Sequence, residues 1–267
     1  MGFADHVLNK NFTDQQLKSL FAFLEKEHIE LDLEVGAIKP WGVTGEDTFR
    51  KEKKEWDRFI ADGAEIHGIA MDEPVAATLN NLHKPLSYAV EETSRFVALV
   101  RENYPRFVVG DIEGHPSSDK EQLMSFWDGL NARLEERGIR GIDYVRLDVD
   151  WMHFVHHTAQ GRLGWLGVRE IEIECHKRHL PFSLIYWAAN YGELNRAHHL
   201  SDMTWDQAIL EEAQWYKAVH GSPDQYVIEN WVPIPAENLP ETKPGTFMQS
   251  VLDFYSHVLA KHGRVEP

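Results

Sequence analysis

The sequence contains almost no cysteine and no long apolar segment. Its single cysteine, Cys175, excludes an intrachain disulfide, and its position in a helical segment predicts an inert, buried thiol. No run reaches the roughly 18 apolar residues of a transmembrane helix, and the first residues lack the apolar stretch of a secretion signal. We therefore expect a cytoplasmic protein with no membrane partner, or a secreted one if a signal has been removed.

Basic residues are also scarce. Lys and Arg total 27, Asp and Glu total 43, and the formal net charge is -16. Because binding to phosphates requires a basic face, this balance argues against a nucleic-acid partner. The glycine motifs of dinucleotide-binding and P-loop proteins and the nucleophile elbow of serine hydrolases are missing as well. No motif indicates a cofactor.

Amphipathic segments and short apolar runs alternate along the chain. The first helical segment begins at Thr13, and Gln16 completes a capping-box spacing three residues later. The apolar runs between helical segments predict parallel strands. These runs occupy residues 29–38, 65–74, 106–115, 142–151, 181–190 and 225–233.

This alternation, without a composition break, predicts one α/β catalytic domain over residues 1–267. A doubly wound sheet lacks its usual glycine signature here, so we favour a (β/α)8 TIM-barrel-like fold. A closed barrel needs eight strands. Six visible strands and a helical start therefore predict two hidden strands or a barrel that is incomplete at its N-terminus. A homo-oligomeric partner could cover the open strand edges.

Acidic residues gather near the C-terminal ends of the predicted strands. Carboxyl groups two residues apart share one face of a strand. At any single position, accepting backbone N–H bonds or pairing with an arginine is as reasonable as a functional role. Unpaired carboxylates in a core cost several kcal/mol each, so five clusters together predict a polar mouth where barrel enzymes place their active sites. The clusters are Asp32 and Glu34, Asp72 and Glu73, Asp111 and Glu113, Asp148 and Asp150, and Glu229.

Tryptophans follow the same predicted strands. Trp41 follows the first strand, Trp187 the fifth and Trp231 the sixth, and Asn190 closes the fifth run. An aromatic ring covers the C–H face of a sugar, whereas carboxylates and amides bind its hydroxyl groups. The alternative is that these rings only cap the apolar core. Together with the acids, they predict a carbohydrate substrate.

The segment "AMDEP" resembles the Asn-Glu-Pro strand end of the retaining (β/α)8 glycoside hydrolases, at superfamily level. The resemblance implies hydrolysis of a glycosidic bond by two carboxyl groups, with Glu73 closing the fourth strand as general acid/base. Glu229 would be the nucleophile, which this clan places near the end of its seventh strand. Asp72 occupies the position of the clan's Asn. Glu113 and Asp148 are the alternatives for a second carboxylate, acting as base in an inverting arrangement.

Two other interpretations stay open. A sugar isomerase or epimerase would bind a divalent ion through strand-end oxygen and imidazole ligands, whereas the hydrolase needs no metal. The third interpretation is a barrel that binds carbohydrate without catalysis. The candidate ligands of the isomerase are Glu34, Glu73, Asp111, Glu113 and His115.

Overall fold

A computed structural model describes residues 1–150, 161–187, 202–231 and 234–260. The chain divides into two compact units, Met1–Arg146 and Leu147–Pro267. The described strands are β1 Gly2–Ala4, β2 Leu31–Val35, β3 Ile66–Asp72, β4 Val108–His115, β5 Tyr144–Val149, β6 Phe182–Tyr186 and β7 Gln225–Ile228.

Helices follow the strands in alternation. A π-helical turn at Ala77–Asn81 extends α4, and another at Tyr255–Leu259 extends α9. Among the described residues, no helix is long and apolar enough to cross a membrane. The helices are α1 Asp5–Asn11, α2 Asp14–Lys26, α3 Gly45–Ala61, α4 Pro74–Ala76, α5 Leu86–Asn103, α6 Lys120–Glu136, α7 Gly161–Lys177, α8 Asp202–Ala218 and α9 Phe247–Phe254.

The strands form one sheet in chain order, β1 to β7. The pairings β1–β2, β2–β3, β3–β4 and β6–β7 are parallel. Parallel neighbours joined by helices are the arrangement of a (β/α) barrel, so the predicted fold class is confirmed.

The start of the chain differs from the prediction. The first element is a strand, because Gly2–Ala4 pairs in parallel with Asp32–Glu34 of β2. Three residues are too short to show an alternating pattern, so the sequence did not reveal this strand. The count rises from six to seven, and Glu73 now follows the third strand while Glu229 follows the seventh.

Unit 1, residues 1–146, shows why the strands point acids and apolar groups in opposite directions. In β2, Leu31, Leu33 and Val35 are buried, whereas Asp32 and Glu34 alternate with them and are partly exposed. Apolar burial drives this packing. The aromatic core of the unit centres on buried Trp56 of α3, which contacts the rings of Phe49, Phe96, Tyr104 and Phe107.

Unit 2, residues 147–267, has its own aromatic core. The rings of Tyr186 in β6 and Phe254 in α9 lie 4.8 Å apart, and those of Trp165 and Tyr216 lie 5.6 Å apart. Cys175 is buried in α7, and burial raises the pKa of its thiol to about 12. The prediction of a buried thiol is confirmed, and its low reactivity stays a prediction that the raised pKa favours, since the thiolate is the reactive form.

Candidate functional site

The turn after β3 holds Glu73 in an unusual backbone conformation. Its φ of 48° and ψ of 51° lie in the left-handed region, which costs free energy for a residue with a long side chain. The Glu73 N–H donates to the Ile112 carbonyl at 2.9 Å, so β4 holds the turn. The other described non-glycine residues with positive φ are histidines that follow helical segments, at His28, His83, His179 and His220. Glu73 is the exception at a strand end, which suggests a functional constraint.

The carboxyl group of Glu73 lies against Gly114. A Cβ atom at Gly114 would lie 2.4 Å from Glu73 Oε1 and 2.6 Å from Ser117 Oγ. The Glu73 side chain is partly buried. Burial raises its pKa first, the charge of Asp72 adds to the rise, and the Lys39 ammonium opposes it. Such an acid stays protonated to a higher pH than an ordinary glutamate.

The neighbouring carboxylate has a cationic partner. Asp72 forms an ion pair with Lys39. Lys39 lies in a tight turn after β2, in which its backbone exchanges hydrogen bonds of 3.1 and 2.9 Å with Gly42. A Cβ at Gly36 would lie 2.9 Å from both the Lys39 side chain and the Trp41 ring, so glycine there allows both to fold back over β2.

A cavity of about 780 Å³ adjoins this ion pair within unit 1. It gathers three of the predicted substrate-binding residues, Glu34, Trp41 and Asp72. Trp41 is 50% exposed, so part of its side chain is accessible to a ligand. Glu73 lies beside the cavity rather than in its lining. Further lining residues are Asp5, His6, Asn9, Lys10, Val35, Gly36, Lys39, Lys51, Glu52, Lys54 and Glu55.

Asp111 and Glu113 lie on the face of β4 that contacts helices α6 and α4. Both are fully buried. Asp111 Oδ2 accepts from the Trp127 indole at 2.7 Å, and Glu113 Oε1 accepts from the Val75 N–H at 2.6 Å. Burial raises the pKa of both carboxyls. These residues share one strand face, as predicted, but they contact helices α6 and α4 rather than the cavity.

The sequence analysis missed a cluster of three carboxyl groups in the cavity. Oxygens of Asp5, Glu52 and Glu55 lie within 4.8 Å of one another. Burial and the contact with Asp5 raise the pKa of Glu52 to about 10. Oxygen-rich clusters of this kind suit a hard divalent cation. In the described parts of the chain, no three of the five ligands expected for an isomerase come together.

The remaining predicted residues lie in unit 2. The Trp187 indole donates to Asp148 Oδ1 at 2.6 Å, and the Trp187 and Trp231 ring centroids are 4.3 Å apart. Asp150 and Glu229 follow β5 and β7 and are partly exposed. Asn190 lies outside the described residues. Unit 2 thus brings Asp148 and two tryptophans into one contact network.

No protein-family model and no curated protein matches this chain. Solved structures are similar in part. QR15, an aldolase, is 14% identical over 80% of this chain and 74% of its own, with a TM-score of 0.44. D-psicose 3-epimerase is 14% identical over 99% and 82%, with a TM-score of 0.45. An endoglucanase is 11% identical over 83% and 82%, with a TM-score of 0.41. Scores this low carry no argument about chemistry.

Proposed function

We propose that this protein hydrolyses a glycosidic bond, with Glu73 as the general acid. The observation that carries the proposal is Glu73 itself. It is a partly buried glutamic acid with a raised pKa, held in a left-handed turn at a strand end. Enzymes raise the pKa of a glutamate in this way so that it is still protonated near its working pH.

The surroundings of Glu73 suit a sugar substrate. The charge of Asp72 beside the acid favours its protonated form, and the ion pair with Lys39 limits this effect. Trp41 offers a half-exposed ring, and Glu34 and Asp72 offer oxygens for hydroxyl groups. Glu73 would protonate the leaving oxygen as the glycosidic bond breaks. Glu229 stays the predicted nucleophile and Asp148 its alternative, which would activate a water molecule instead.

The test compares leaving groups. Wild type and Glu73→Gln are assayed on aryl glycosides whose leaving phenols range from acidic to weakly acidic, and on alkyl glycosides and oligosaccharides. Since only a basic leaving oxygen needs a proton, we expect Glu73→Gln to lose about 100- to 10,000-fold in kcat on alkyl glycosides. The loss should be much smaller with the most acidic phenol.

Glu65→Gln is the matched control, since Glu65 is exposed and precedes the same strand at its other end. It should leave every substrate unaffected. An equal loss for all leaving groups would contradict the acid role of Glu73. A wild-type protein that binds oligosaccharides but releases no product from them would favour the non-catalytic barrel.

The divalent-metal isomerase or epimerase is the second candidate, because Asp5, Glu52 and Glu55 converge in the cavity that Glu34 and Asp72 also line. These three carboxylates would hold the ion, which would polarise sugar oxygens. Under this alternative, EDTA abolishes interconversion of free sugars, and Mn²⁺ or Mg²⁺ restores it. Glycoside cleavage that survives EDTA supports the hydrolase.

A further inference from the structure

We infer that Glu113 is a positioning residue and not a catalytic base. Its hydrogen bond to the turn that follows Glu73 holds Glu73 in place. This inference rests on the proposed role of Glu73 as the acid. It concerns the contacts that β4 makes with the three residues Glu73, Pro74 and Val75, which we call the acid turn.

Strand β4 holds the acid turn at three successive points. The Ile112 carbonyl accepts the Glu73 N–H at 2.9 Å. The Glu113 carboxyl accepts the Val75 N–H at 2.6 Å. Gly114 leaves the space in which the Glu73 carboxyl lies. The Ile112 carbonyl therefore holds the first residue of the acid turn, and the Glu113 carboxyl holds the last. The absence of a side chain at Gly114 makes room for the Glu73 carboxyl.

The Glu113 carboxyl provides the Val75 N–H with an acceptor that the short helix α4 cannot provide. The first N–H groups of a helix have no partner inside the helix, and Val75 is the second residue of the short α4. A side-chain acceptor at this point favours a helix that starts directly after Glu73. Without this acceptor, we expect the left-handed conformation at Glu73 to relax.

Burial separates Glu113 from base chemistry. The residue has no exposed surface, and its Oε2 has no hydrogen-bond partner among the described residues. Burial raises the pKa of Glu113, and the charges of Asp111, Glu73 and Asp72 add to the rise. Glu113 can accept the Val75 N–H in this buried position, but a carboxyl without exposed surface is not placed to remove a proton from water.

The experiment uses two substitutions at Glu113 and one at Gly114. Glu113→Gln keeps a carbonyl oxygen for Val75, Glu113→Ala removes it, and Gly114→Ala pushes on the Glu73 carboxyl while Glu113 stays intact. Glu172→Ala is the matched control, because buried Glu172 of unit 2 accepts the Ser222 N–H at 3.2 Å. Each variant is assayed for kcat and KM on alkyl glycosides. The Glu73 carboxyl is titrated by ¹³C NMR.

We expect Glu113→Ala and Gly114→Ala to lower kcat about 10- to 100-fold with much smaller changes in KM, since small displacements of a catalytic group are costly. The Glu73 pKa should fall towards its ordinary value in Glu113→Ala, where the carboxyl gains water. Glu113→Gln should retain most of the kcat and the Glu73 titration. Glu172→Ala should lose stability without losing kcat.

Two results would overturn the inference. Glu113→Gln as inactive as Glu113→Ala would make the carboxyl itself the reacting group, and an unchanged kcat and Glu73 titration in Glu113→Ala would remove any positioning role. If Glu113→Ala does not fold, Glu113→Gln alone decides, since a large loss of kcat in that variant would contradict the inference. If wild type cleaves no glycoside, the proposed function fails, but the Glu73 titration in the three variants still decides the positioning role.

Discussion

Unit 1 contains two pairs of neighbouring carboxyl groups that meet very different surroundings. Asp72 and Glu73 are both partly exposed, and Lys39 forms an ion pair with Asp72. Asp5 and Glu52 are both buried, and among the described residues no lysine or arginine pairs with either. Their contacts are N–H groups, from His6 and Trp56 to Asp5 and from Gly36 to Glu52.

The difference shows how two carboxyls in contact can be accommodated. In the first pair, Lys39 compensates the charge of Asp72 and so limits the rise in the pKa of Glu73. Both carboxyl side chains stay partly exposed to water. In the second pair a retained proton takes the place of the lysine, and the pKa of Glu52 rises to about 10. The first arrangement suits proton transfer, and the second suits a structural hydrogen bond.

The largest expected effect tests the buried pair. Glu52 has a pKa of about 10 in the folded protein and an ordinary value of 4.5. The folded state therefore binds more protons between these values, and stability falls as pH rises through them. Glu52→Gln removes this penalty and keeps the acceptor for Gly36, so it should stabilise the protein by up to about 3 kcal/mol at neutral pH.

Urea unfolding of wild type and Glu52→Gln, measured from about pH 5 to 9, checks both the gain and the flatter pH dependence. Glu46→Gln, at an exposed position on the same helix, is the control. A Glu52→Gln protein that is less stable than wild type at neutral pH would show that Glu52 is ionised there. A cation bound by Asp5, Glu52 and Glu55 would require that state.

The next effect sharpens the comparison at the exposed pair. The Asp72 charge raises the pKa of Glu73 and the Lys39 charge lowers it. If Glu73 is the acid, kcat/KM falls as pH rises through its pKa, since the proton is lost. This fall is the alkaline limb of the pH profile of kcat/KM. Asp72→Asn should move the limb to lower pH, and Lys39→Met should move it to higher pH.

The pH profiles of kcat/KM for the two variants measure this opposition. Lys54→Met is the control, because Lys54 lines the cavity but is not among the charges that shift the pKa of Glu73. Shifts in the same direction for Asp72→Asn and Lys39→Met would mean that the limb belongs to a group other than Glu73.

The sequence predicted the parts of this structure that depend on local patterns. The apolar alternation of Leu31, Leu33 and Val35 indicated β2, and the capping box at Thr13 is present, with the Gln16 N–H donating to Thr13 Oγ1. The three residues of β1 were too few to form a pattern. The resemblance placed Glu73 at the end of the fourth strand, which requires two strands before β2, whereas the structure has one there, β1.

Long-range contacts were beyond the sequence. Two residues of separation placed Asp111 and Glu113 on one face, but only the packing of α4 and α6 shows that this face is buried. Lys39 lies 33 positions before its partner Asp72, and no local signal joins them. Glu52 and Glu55 share a helix face, which was the one available hint of the cluster with Asp5.

The smallest expected effect concerns Trp41, which links the two pairs because both Asp72 and Glu52 line the cavity beside it. The Lys51 ammonium lies 5.0 Å from the Trp41 ring centroid. A sugar stacked on the ring gains about 0.5 to 1.5 kcal/mol, so Trp41→Ala should raise KM about two- to tenfold with kcat nearly unchanged. Michaelis–Menten analysis on the best glycoside measures KM and kcat separately.

Trp215→Ala is the matched control, because Trp215 on α8 is 44% exposed and belongs to no predicted site. An unchanged KM in Trp41→Ala would mean that the sugar does not bind in this cavity. A fall in kcat at constant KM would mean instead that the ring contacts the sugar mainly in the transition state, which would bring Trp41 into the catalytic step beside Glu73.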